Sequence, residues 1–448
     1  MAQQADLKAR SPWAALNDVN EVEISPAADP IHGEMTIPGS KSFTNRALIL
    51  ASMAIGPSLI SGILKSDDSF WCIDALKKLG TEIQVGNDAA HIDGTGAKWP
   101  NQKADLYIGA SGTNGRFLPG ALAAARKGSW QVEASKGMSK RPIGTLIEAL
   151  RELGGNIEYL ENDGFFPIRV DGNGFQGGDV SISGKVSSQF ISGLLMAAPY
   201  AKEPVTVHVT DHIVQHAYVH ITLDLMREFG VDVEADQNLE TLKIHPGKYK
   251  GRMLQLEADA STTCYFLAMA AITNGKIRIA NISYETRQPD IKMVDIFEEM
   301  GCTVTRGNGF IELEGTPQLK GGKTISMKEM SDQALTLAAV AVFADEPITI
   351  TGVAHIRHHE SNRIEAVCES LARLGIQVEE HEDGLTVYPG TPKPATLDSY
   401  DDHRVAMSLS LIGARVPGIK ISDPGCVSKT CPTYFELLEQ LGLGIKFS

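Results

Sequence analysis

A repeated helix-plus-glycine unit constrains the fold of this 448-residue chain more than any other feature. Six amphipathic segments each end in an apolar residue and glycine, and the glycines are spaced by 74, 76, 71, 74 and 67 residues. Apolar residues at i, i+3, i+4 and i+7 predict one buried helix face, and the glycine predicts a left-handed helix end. The glycines are Gly80, Gly154, Gly230, Gly301, Gly375 and Gly442. We therefore expect six α/β units, with alternating segments after the first five glycines forming β-hairpins.

A second kind of helix is predicted between these segments, apolar on nearly every side but with a polar first turn. Such helices are normally buried, and Ser, Thr or Asp at their start is most simply a helix cap. Lys, Arg, Gln or His recurs nearby, however, and helix amino ends attract anions. The repetition therefore favours anion binding at these ends. The predicted segments are 42–54, 187–199, 261–273, 331–344 and 402–414.

Charge and composition exclude several classes of function. The chain has 41 Lys and Arg against 55 Asp and Glu, for a net charge of −14, and 43% of its residues are hydrophobic. This balance argues against nucleic acid or an anionic membrane as a partner, so an anionic ligand would need a local basic cluster. The six cysteines have no zinc spacing, and no signal or membrane segment is found. We expect a cytoplasmic protein with reduced thiols.

Three weaker motifs do not change this interpretation. The run at 172–177 matches G-x-G-x-x-G but precedes a predicted strand, so it is interpreted as a turn and not a dinucleotide site. Gly39-Ser40-Lys41-Ser42 lacks the order of a P-loop. His358-His359-Glu360 has no H-E-x-x-H pattern, and a metal site there is disfavoured.

Basic residues recur at the starts of the predicted buried helices and in glycine-rich turns. Two cations in the first turn of a helix repel the helix dipole unless an anion lies among them. Taken singly, each could be a surface ion pair, but together they favour one strongly anionic ligand or two. The residues are Lys41, Arg46, Arg141, Arg363, Arg404 and Lys429, with a glycine-rich turn at 109–116.

The same segments carry a family resemblance. From about residue 25 onward the chain resembles the 5-enolpyruvylshikimate-3-phosphate synthase (EPSP synthase) family of enolpyruvyl transferases, in the motifs PGSKSFTNRALILA, GTNGRF, SKRPIG, VSSQF, DASTTCYFLA, HESNRI, DDHRVAMS and SKTCPTYFE. The resemblance implies an α/β fold of two similar domains, each with three βαβαββ-type units and buried helices, known as an inside-out α/β barrel. It implies domain 1 at 1–37 plus 258–448, and domain 2 at 38–257.

The resemblance also implies an activity: addition–elimination that transfers the enolpyruvyl group of phosphoenolpyruvate to the 5-hydroxyl of shikimate 3-phosphate and releases phosphate. It implies a basic interdomain cleft, closure of the domains over both substrates, a monomer, and no cofactor or metal. Glyphosate, which occupies the phosphoenolpyruvate site in this family, is an expected inhibitor because Gly112 leaves room. Phe117, where relatives have proline, is a reason to expect weaker inhibition.

Site residues follow from the same resemblance, position by position. Asp332 and Glu360 match the paired carboxylates that accept and donate protons, with Lys41 also at the reacting groups. Shikimate 3-phosphate is expected at Lys41, Ser42, Arg46, Ser187, Ser188, Gln189, Gln215, Asp332 and His359. Phosphoenolpyruvate is expected at Lys41, Gly112, Arg141, Gln189, Arg363, Arg404 and Lys429.

Three other functions are less consistent with these residues. The sister transferase acting on UDP-N-acetylglucosamine uses a loop cysteine, but no cysteine lies between Cys72 and Cys264. A relative recruited to another acceptor is suggested by His359 and Gln215, where many members have Lys and Ser. A catalytically inactive scaffold would not need Asp332 and Glu360 together with all the cations.

Overall fold

The structure is a computed structural model that describes residues 6–448. Its α-helices are α1 (Lys41–Met53), α2 (Asp67–Lys78), α3 (Gly112–Ala123), α4 (Gly144–Glu152), α5 (Ser188–Ala197), α6 (Ala217–Glu228), α7 (Ala260–Thr273), α8 (Met293–Glu299), α9 (Ala334–Ala341), α10 (Arg363–Arg373), α11 (His403–Ser410) and α12 (Tyr434–Gln440).

The strands of the first half are β1 (Glu21–Ser25), β2 (His32–Met35), β3 (Ile55–Ser61), β4 (Glu82–Val85), β5 (Ala89–Thr95), β6 (Lys103–Tyr107), β7 (Ser129–Glu133), β8 (Asn156–Tyr159), β9 (Ile168–Asp171), β10 (Gly178–Ile182), β11 (Val205–Val209) and β12 (Val233–Ala235). Those of the second half are β13 (Thr241–Ile244), β14 (Met253–Gln255), β15 (Lys276–Ile279), β16 (Thr303–Gly307), β17 (Phe310–Glu314), β18 (Lys323–Ser326), β19 (Ile348–Thr351), β20 (Val378–His381), β21 (Gly384–Val387), β22 (Ala395–Leu397), β23 (Ile419–Ser422) and β24 (Gly444–Phe447).

The chain divides into two compact units. Unit 1 comprises Met1–Pro38 and Glu257–Ser448, and unit 2 comprises Gly39–Leu256. Each unit contains three four-stranded sheets of one topology. In five of the six sheets the first strand is parallel to the second, and the second is antiparallel to the last strand of a hairpin. In the sixth sheet β22 is parallel to β23, and β23 is antiparallel to β1. The predicted βαβαββ repeat is confirmed.

Two repeats take their first strand from a distant part of the chain. In unit 2, β14 pairs in parallel with β3 and completes the sheet that follows α1. In unit 1, β2 pairs in parallel with β15, so an N-terminal strand completes the sheet that follows α7. The last sheet of unit 1 incorporates β1 between β23 and β24. Because strands from distant segments complete these sheets, the repeats do not follow one another as uninterrupted stretches from the start of the chain.

The predicted helix ends are confirmed in all six repeats. The amphipathic helices α2, α4, α6, α8, α10 and α12 are each followed, after one capping residue, by the predicted glycine. The backbone φ angles of these six glycines lie between +80° and +102°, a region that a side chain with Cβ rarely adopts.

The apolar helices form the core of each unit. In unit 2, every residue of α3 is buried, and α3 packs on α1 and α5. In unit 1, α7 is buried over nearly its whole length and packs on α9. Strands such as β7 alternate buried and partly exposed residues, so the sheets cover these helices with one face. None of the helices in residues 6–448 has both the length and the apolarity that a membrane crossing requires.

Candidate active site

The amino ends of the buried helices carry most of the predicted site residues, and they form one cluster in each unit. The unit-2 cluster consists of Lys41, Ser42, Arg46, Gly112, Arg141, Ser187, Ser188, Gln189 and Gln215. The unit-1 cluster consists of Asp332, His359, Glu360, Arg363, Asp402, His403, Arg404 and Lys429. Helix amino ends supply free N–H groups and positive potential, which suits anionic ligands.

In the unit-2 cluster, α1 begins with two predicted residues. Lys41 is its first residue, and Lys41 Nζ lies 3.6 Å from Asp68 Oδ2 at the start of α2. The Asp68 side chain is 3% exposed, so this carboxylate is held beside Lys41 with little access to water. Sequence reasoning missed Asp68. Asp67 and Asp68 are two acidic residues in the first turn of α2, and such a pair is a recognisable signal of a helix start.

Arg46 lies one turn further along α1 and is 1% exposed. Its guanidinium donates to neutral oxygens: Nε to Thr222 Oγ1 at 2.7 Å, Nη2 to Ser192 Oγ at 3.3 Å and Nη1 to the Ser42 carbonyl at 3.0 Å. Burial lowers the pKa of Arg46 to about 10. The side chain is therefore a buried positive charge, fixed by helices α5 and α6.

Gly112 opens α3 where three polar groups converge. A Cβ at Gly112 would lie 3.2 Å from Arg141 Nη1, 3.3 Å from Arg116 Nη1 and 3.3 Å from Gln189 Oε1. Gln189 Oε1 is buried and has no hydrogen-bond partner within residues 6–448. The structure thus brings Gly112, Arg141 and Gln189 together, as the resemblance implies.

Arg116, which sequence reasoning left unassigned, lies beneath this point. It is 3% exposed and donates to the Gly112 and Pro142 carbonyls at 3.3 and 3.2 Å. Burial and the neighbouring Arg141 charge hold the pKa of Arg116 well below its usual range. A second buried cation therefore adds to the positive potential at the start of α3.

The α5 and α6 ends complete the unit-2 cluster. Ser187 caps α5 by accepting from the Gln189 N–H at 3.2 Å, and Ser188 is 3% exposed. Gln215 precedes α6 with a backbone φ of +52°, and its carbonyl accepts from the Tyr218 N–H at 3.1 Å. Its left-handed backbone is unusual for glutamine and fixes the direction in which its side chain leaves the turn.

Arg363 organises the unit-1 cluster. Its guanidinium binds Asp402 in a bidentate manner, with Nε–Oδ2 at 2.8 Å and Nη2–Oδ1 at 3.1 Å. Its third nitrogen, Nη1, donates to Asp332 Oδ1 at 2.8 Å and lies 3.1 Å from His359 Nδ1. Arg363 is 2% exposed and Asp402 is fully buried, so this pair anchors the start of α10 to the start of α11.

Glu360 is surrounded by potential or permanent cations. Its Oε1 lies 2.9 Å from Lys429 Nζ and 3.9 Å from Arg363 Nη2, and its Oε2 lies 2.8 Å from His403 Nδ1. Burial raises the pKa of the Glu360 carboxyl, but the attraction of His403, Lys429 and Arg363 outweighs burial and holds the pKa well below its usual range. Glu360 is therefore ionised at neutral pH in the substrate-free site.

Asp332 lies between two arginines. Its Oδ2 is 3.0 Å from Arg404 Nη2, and its Oδ1 binds Arg363. Arg404 Nη1 also donates to Tyr265 OH at 3.4 Å, and Arg404 Nη2 to Ser261 Oγ at 3.3 Å. Both guanidinium groups are thus fixed on the same carboxylate, which prearranges positive charge for a ligand.

A fully buried carboxylate lies behind this layer, at Asp290. Its Oδ2 accepts from Ser261 Oγ and, at 3.0 Å, from Gln333 Nε2, while its Oδ1 has no hydrogen-bond partner in the described chain. Burial and the nearby Asp332 charge raise the pKa of Asp290 to about 6. Nothing in the sequence around Asp290 indicated its burial, because the helices that cover it are distant in sequence.

One set of side chains within residues 6–448 has ligand atoms close enough for a metal ion. In Glu360, Asp402 and His403 these atoms all lie within 4.8 Å of one another. Both carboxylates already bind cationic side chains, Lys429 and Arg363. Because a divalent ion would compete with those fixed positive charges, this arrangement suits an anionic ligand better than a metal.

Comparison with known proteins identifies the family. The family model of EPSP synthase (3-phosphoshikimate 1-carboxyvinyltransferase) matches residues 26–438. The 3-phosphoshikimate 1-carboxyvinyltransferase 2 of Halalkalibacterium halodurans is 60% identical over 444 residues, covering 99% of each chain. The chloroplastic enzyme of Arabidopsis thaliana is 38% identical, over 97% of this chain and 87% of that protein.

Solved structures agree. EPSP synthase from Acinetobacter baumannii superposes with a TM-score of 0.82 at 27% identity, covering 96% of this chain and all of that one. The repeated α/β units and the cation-rich helix ends are those of an enolpyruvyl-transferring enzyme. More particularly, the chain belongs to the EPSP synthase family. It is a transferase of the shikimate pathway that moves the enolpyruvyl group of phosphoenolpyruvate to shikimate 3-phosphate.

Proposed function

We propose that the two clusters divide the chemistry of this transfer between them. The unit-2 cluster holds shikimate 3-phosphate, with Lys41, Ser42, Arg46, Ser187, Ser188, Gln189 and Gln215 as ligands, joined by Asp332 and His359 of unit 1. Phosphoenolpyruvate is bound by Arg363, Arg404 and Lys429 of unit 1 and by Lys41, Gly112, Arg141 and Gln189 of unit 2. Both substrates carry a phosphate and a carboxylate, for which guanidinium groups and helix amino ends are suitable partners.

The main support for the catalytic assignment is that the carboxylates of Asp332 and Glu360 lie beside the two Nη atoms of the same side chain, Arg363. Arg363 Nη1 lies 2.8 Å from Asp332, and Arg363 Nη2 lies 3.9 Å from Glu360. Two carboxylates fixed on one rigid group can act on two atoms of a single reaction centre. Their environments differ, since Asp332 binds two arginines while Glu360 binds lysine and histidine.

The proposed steps conserve every proton. Asp332 accepts the 5-hydroxyl proton as that oxygen bonds to C2 of phosphoenolpyruvate, while protonated Glu360 donates a proton to C3. In the elimination, Glu360 takes a proton back from C3, the double bond re-forms, and the C2–phosphate bond breaks. The proton held by Asp332 leaves with the phosphate. Lys41 stabilises the charge that develops on the reacting groups.

Glu360 must gain a proton before it can act as an acid, and substrate binding supplies a reason for it to do so. Phosphoenolpyruvate brings negative charge to Lys429 and Arg363, which together with His403 lower the Glu360 pKa in the empty site. Shared with a second anion, those cations stabilise the ionised carboxylate less, and the pKa of Glu360 rises. The protonated fraction therefore grows in the complex that needs it.

The decisive experiment compares Glu360→Gln and Asp332→Asn with the wild-type chain in steady-state assays of phosphate release. Each substitution should lower kcat by about 100-fold or more, the usual contribution of a positioned acid or base, with a smaller change in KM. The control is Glu365→Gln, an exposed carboxylate in the first turn of α10. Near-normal kcat in either variant would remove that residue from its proposed role.

Closure of the two units over the substrates and a monomeric state remain predictions from the family resemblance. Small-angle X-ray scattering with and without both substrates tests the first, because closure reduces the radius of gyration. Light scattering of the purified chain tests the second. Unchanged scattering curves with saturating substrates would count against closure.

A further inference from the structure

A basic cavity lies in unit 2 at the carboxyl ends of the buried helices, away from the helix amino ends that carry the unit-2 cluster. Its volume is about 860 Å³. Ligand pockets usually enclose about 300–1,000 Å³, so this cavity has the size of one. It is formed by four segments, which follow β5, α3, α5 and β13: 96–99 with Gln102, 124–127, 199–202 and 246–248.

The charge of the cavity is one-sided. Of the sixteen described residues that line it, five are basic and none is acidic, although the whole chain has a net charge of −14. The five are Lys98, Arg126, Lys127, Lys202 and Lys248. All five are exposed, and within residues 6–448 none takes part in an ion pair. Lys202 Nζ donates to the neutral side chain of Gln176 at 3.1 Å.

The floor is apolar and fixed. Ala97, Trp99, Ala124 and Pro199 are buried there, and Trp99 is only 3% exposed. Tyr200 lies at the wall, and its hydroxyl donates to the Met53 carbonyl at the end of α1. The cavity therefore combines an apolar surface with a rim of exposed cations, the combination that suits a ligand with an apolar body and several negative charges.

Stabilisation of helix carboxyl ends does not by itself explain why these cations line the cavity. Cations favour helix carboxyl ends, where the dipole is negative. The last turns of α3 and α5 contain no basic residue, however, and the cations lie beyond them. In unit 1 the corresponding chain after α9 contains Asp345 and Glu346 instead. The repeat therefore does not require cations at this end.

We propose that this cavity is a second binding site of the enzyme, for an organic polyphosphate of nucleotide size. Phosphate esters match it because lysine binds phosphate as a point charge and arginine in a bidentate manner, and because the apolar floor accommodates an uncharged body. The site does not depend on the proposed roles of the catalytic residues. It is separate from both clusters in residue content and in chemistry, since none of its lining residues is acidic.

Calorimetric titration of the full chain tests the proposal, with ATP without magnesium and inorganic tripolyphosphate as probes. Shikimate 3-phosphate is kept saturating so that the unit-2 cluster is occupied. The pocket variant carries Lys98→Ala, Lys127→Ala and Lys202→Ala. The matched control carries Lys77→Ala, Lys243→Ala and Lys250→Ala, which removes three exposed cations of the same unit outside the cavity.

The pocket variant should bind ATP at least tenfold more weakly than the wild type, and the control variant less than twofold more weakly. Turnover of both variants should remain at the wild-type level. Tighter binding of ATP than of tripolyphosphate would show that the apolar floor contributes, whereas equal binding would assign the site to the polyphosphate chain alone. Equal weakening in both variants, or no binding to the wild type, would overturn the proposal.

Discussion

Lys429 Nζ lies 2.9 Å from Glu360 Oε1, and the two side chains are only 10% and 15% exposed. Because of this pair, the effect of Lys429→Met on the free energy of unfolding should depend on pH. Because the folded-state pKa of Glu360 is depressed, the carboxylate stabilises the fold above its unfolded pKa of about 4.3, and the stabilisation is lost as pH falls through the folded value. Removing Lys429 raises the folded pKa and reduces that stabilisation.

We therefore expect Lys429→Met to lower the free energy of unfolding by about 2 kcal/mol at pH 7, with the difference shrinking below pH about 4. Urea unfolding at several pH values measures this. Lys420→Met is the control, since Lys420 pairs with Glu21 at 2.7 Å in the same unit but both groups are more exposed. Such pairs contribute about 0–1 kcal/mol. A difference that is constant with pH would contradict the assignment to Glu360.

Ionisation of Asp290 should have the opposite effect on the stability of the fold. Its pKa is raised to about 6, so its ionisation costs stability: the cost is absent below the unfolded pKa of about 3.9 and grows as pH rises towards 6. Asn in place of Asp290 keeps an acceptor for Ser261 and Gln333 but carries no charge. The stability of Asp290→Asn relative to wild type should therefore increase between pH 4 and pH 7.

Asp402→Asn provides the contrast, because it removes a buried carboxylate whose pKa is lowered. Burial raises the Asp402 pKa, but the bound Arg363 outweighs burial. The destabilisation of this variant relative to wild type should be complete above the unfolded pKa of about 3.9, nearly constant from pH 5 to pH 7, and smaller as pH falls below about 4. Thermal unfolding midpoints of both variants from pH 3 to pH 7 measure the two dependences. If Asp402→Asn also gains stability relative to wild type between pH 4 and pH 7, the distinction between Asp290 and Asp402 is wrong.

Local sequence signals account for the fold, and long-range contacts account for what those signals missed. Each glycine that ends an amphipathic helix is determined by neighbours within one turn, so the six repeats were predictable from sequence alone. The ionisation of Glu360 was not predictable, because its partner His403 lies 43 residues away. Burial of Asp290 likewise depends on Ser261 and Gln333, which lie 29 and 43 residues away along the chain. Family resemblance suggested which residues belong to the site, but only distances indicate their charge states.

Replacing Arg116 by an uncharged residue should stabilise the fold and weaken ligand binding. It is a buried cation with no carboxylate partner among its hydrogen bonds, and its Nε is unpaired within the described residues. Burying an uncompensated charge is costly. Arg116→Met should therefore raise the thermal midpoint by about 2–4 °C, which corresponds to roughly 1 kcal/mol in a domain of this size.

The same substitution should raise KM for phosphoenolpyruvate about tenfold, because it removes positive potential beneath Gly112 and Arg141. Arg169→Met is the control: its exposed guanidinium pairs with Glu158 on a surface hairpin of the same unit. That variant should change neither quantity measurably. Differential scanning fluorimetry and steady-state kinetics give both values. A lower midpoint for Arg116→Met would show that its hydrogen bonds outweigh the cost of its charge.

Gly112 and Gly115 lie one turn apart at the start of α3. Substitution of Gly112 should affect ligand binding, whereas substitution of Gly115 should affect stability. A Cβ at Gly112 would meet polar side chains at 3.2–3.3 Å, including Arg141 and Gln189. A Cβ at Gly115 would meet only apolar atoms, with Met138 Cε at 2.9 Å and Phe166 Cε2 at 3.1 Å. The two Gly→Ala substitutions therefore crowd different surroundings, and the contacts at Gly115 are the shorter ones.

Gly112→Ala should leave the thermal midpoint unchanged or slightly higher, since alanine favours a helix by about 1 kcal/mol over glycine and the polar neighbours can shift. It should raise KM for phosphoenolpyruvate several-fold, because the methyl group occupies space beside Arg141. Gly115→Ala should instead lower stability by about 1–3 kcal/mol through overpacking, with KM nearly unchanged. Kinetics and unfolding of both variants decide the matter. A Gly112→Ala enzyme with wild-type KM would place phosphoenolpyruvate away from the start of α3.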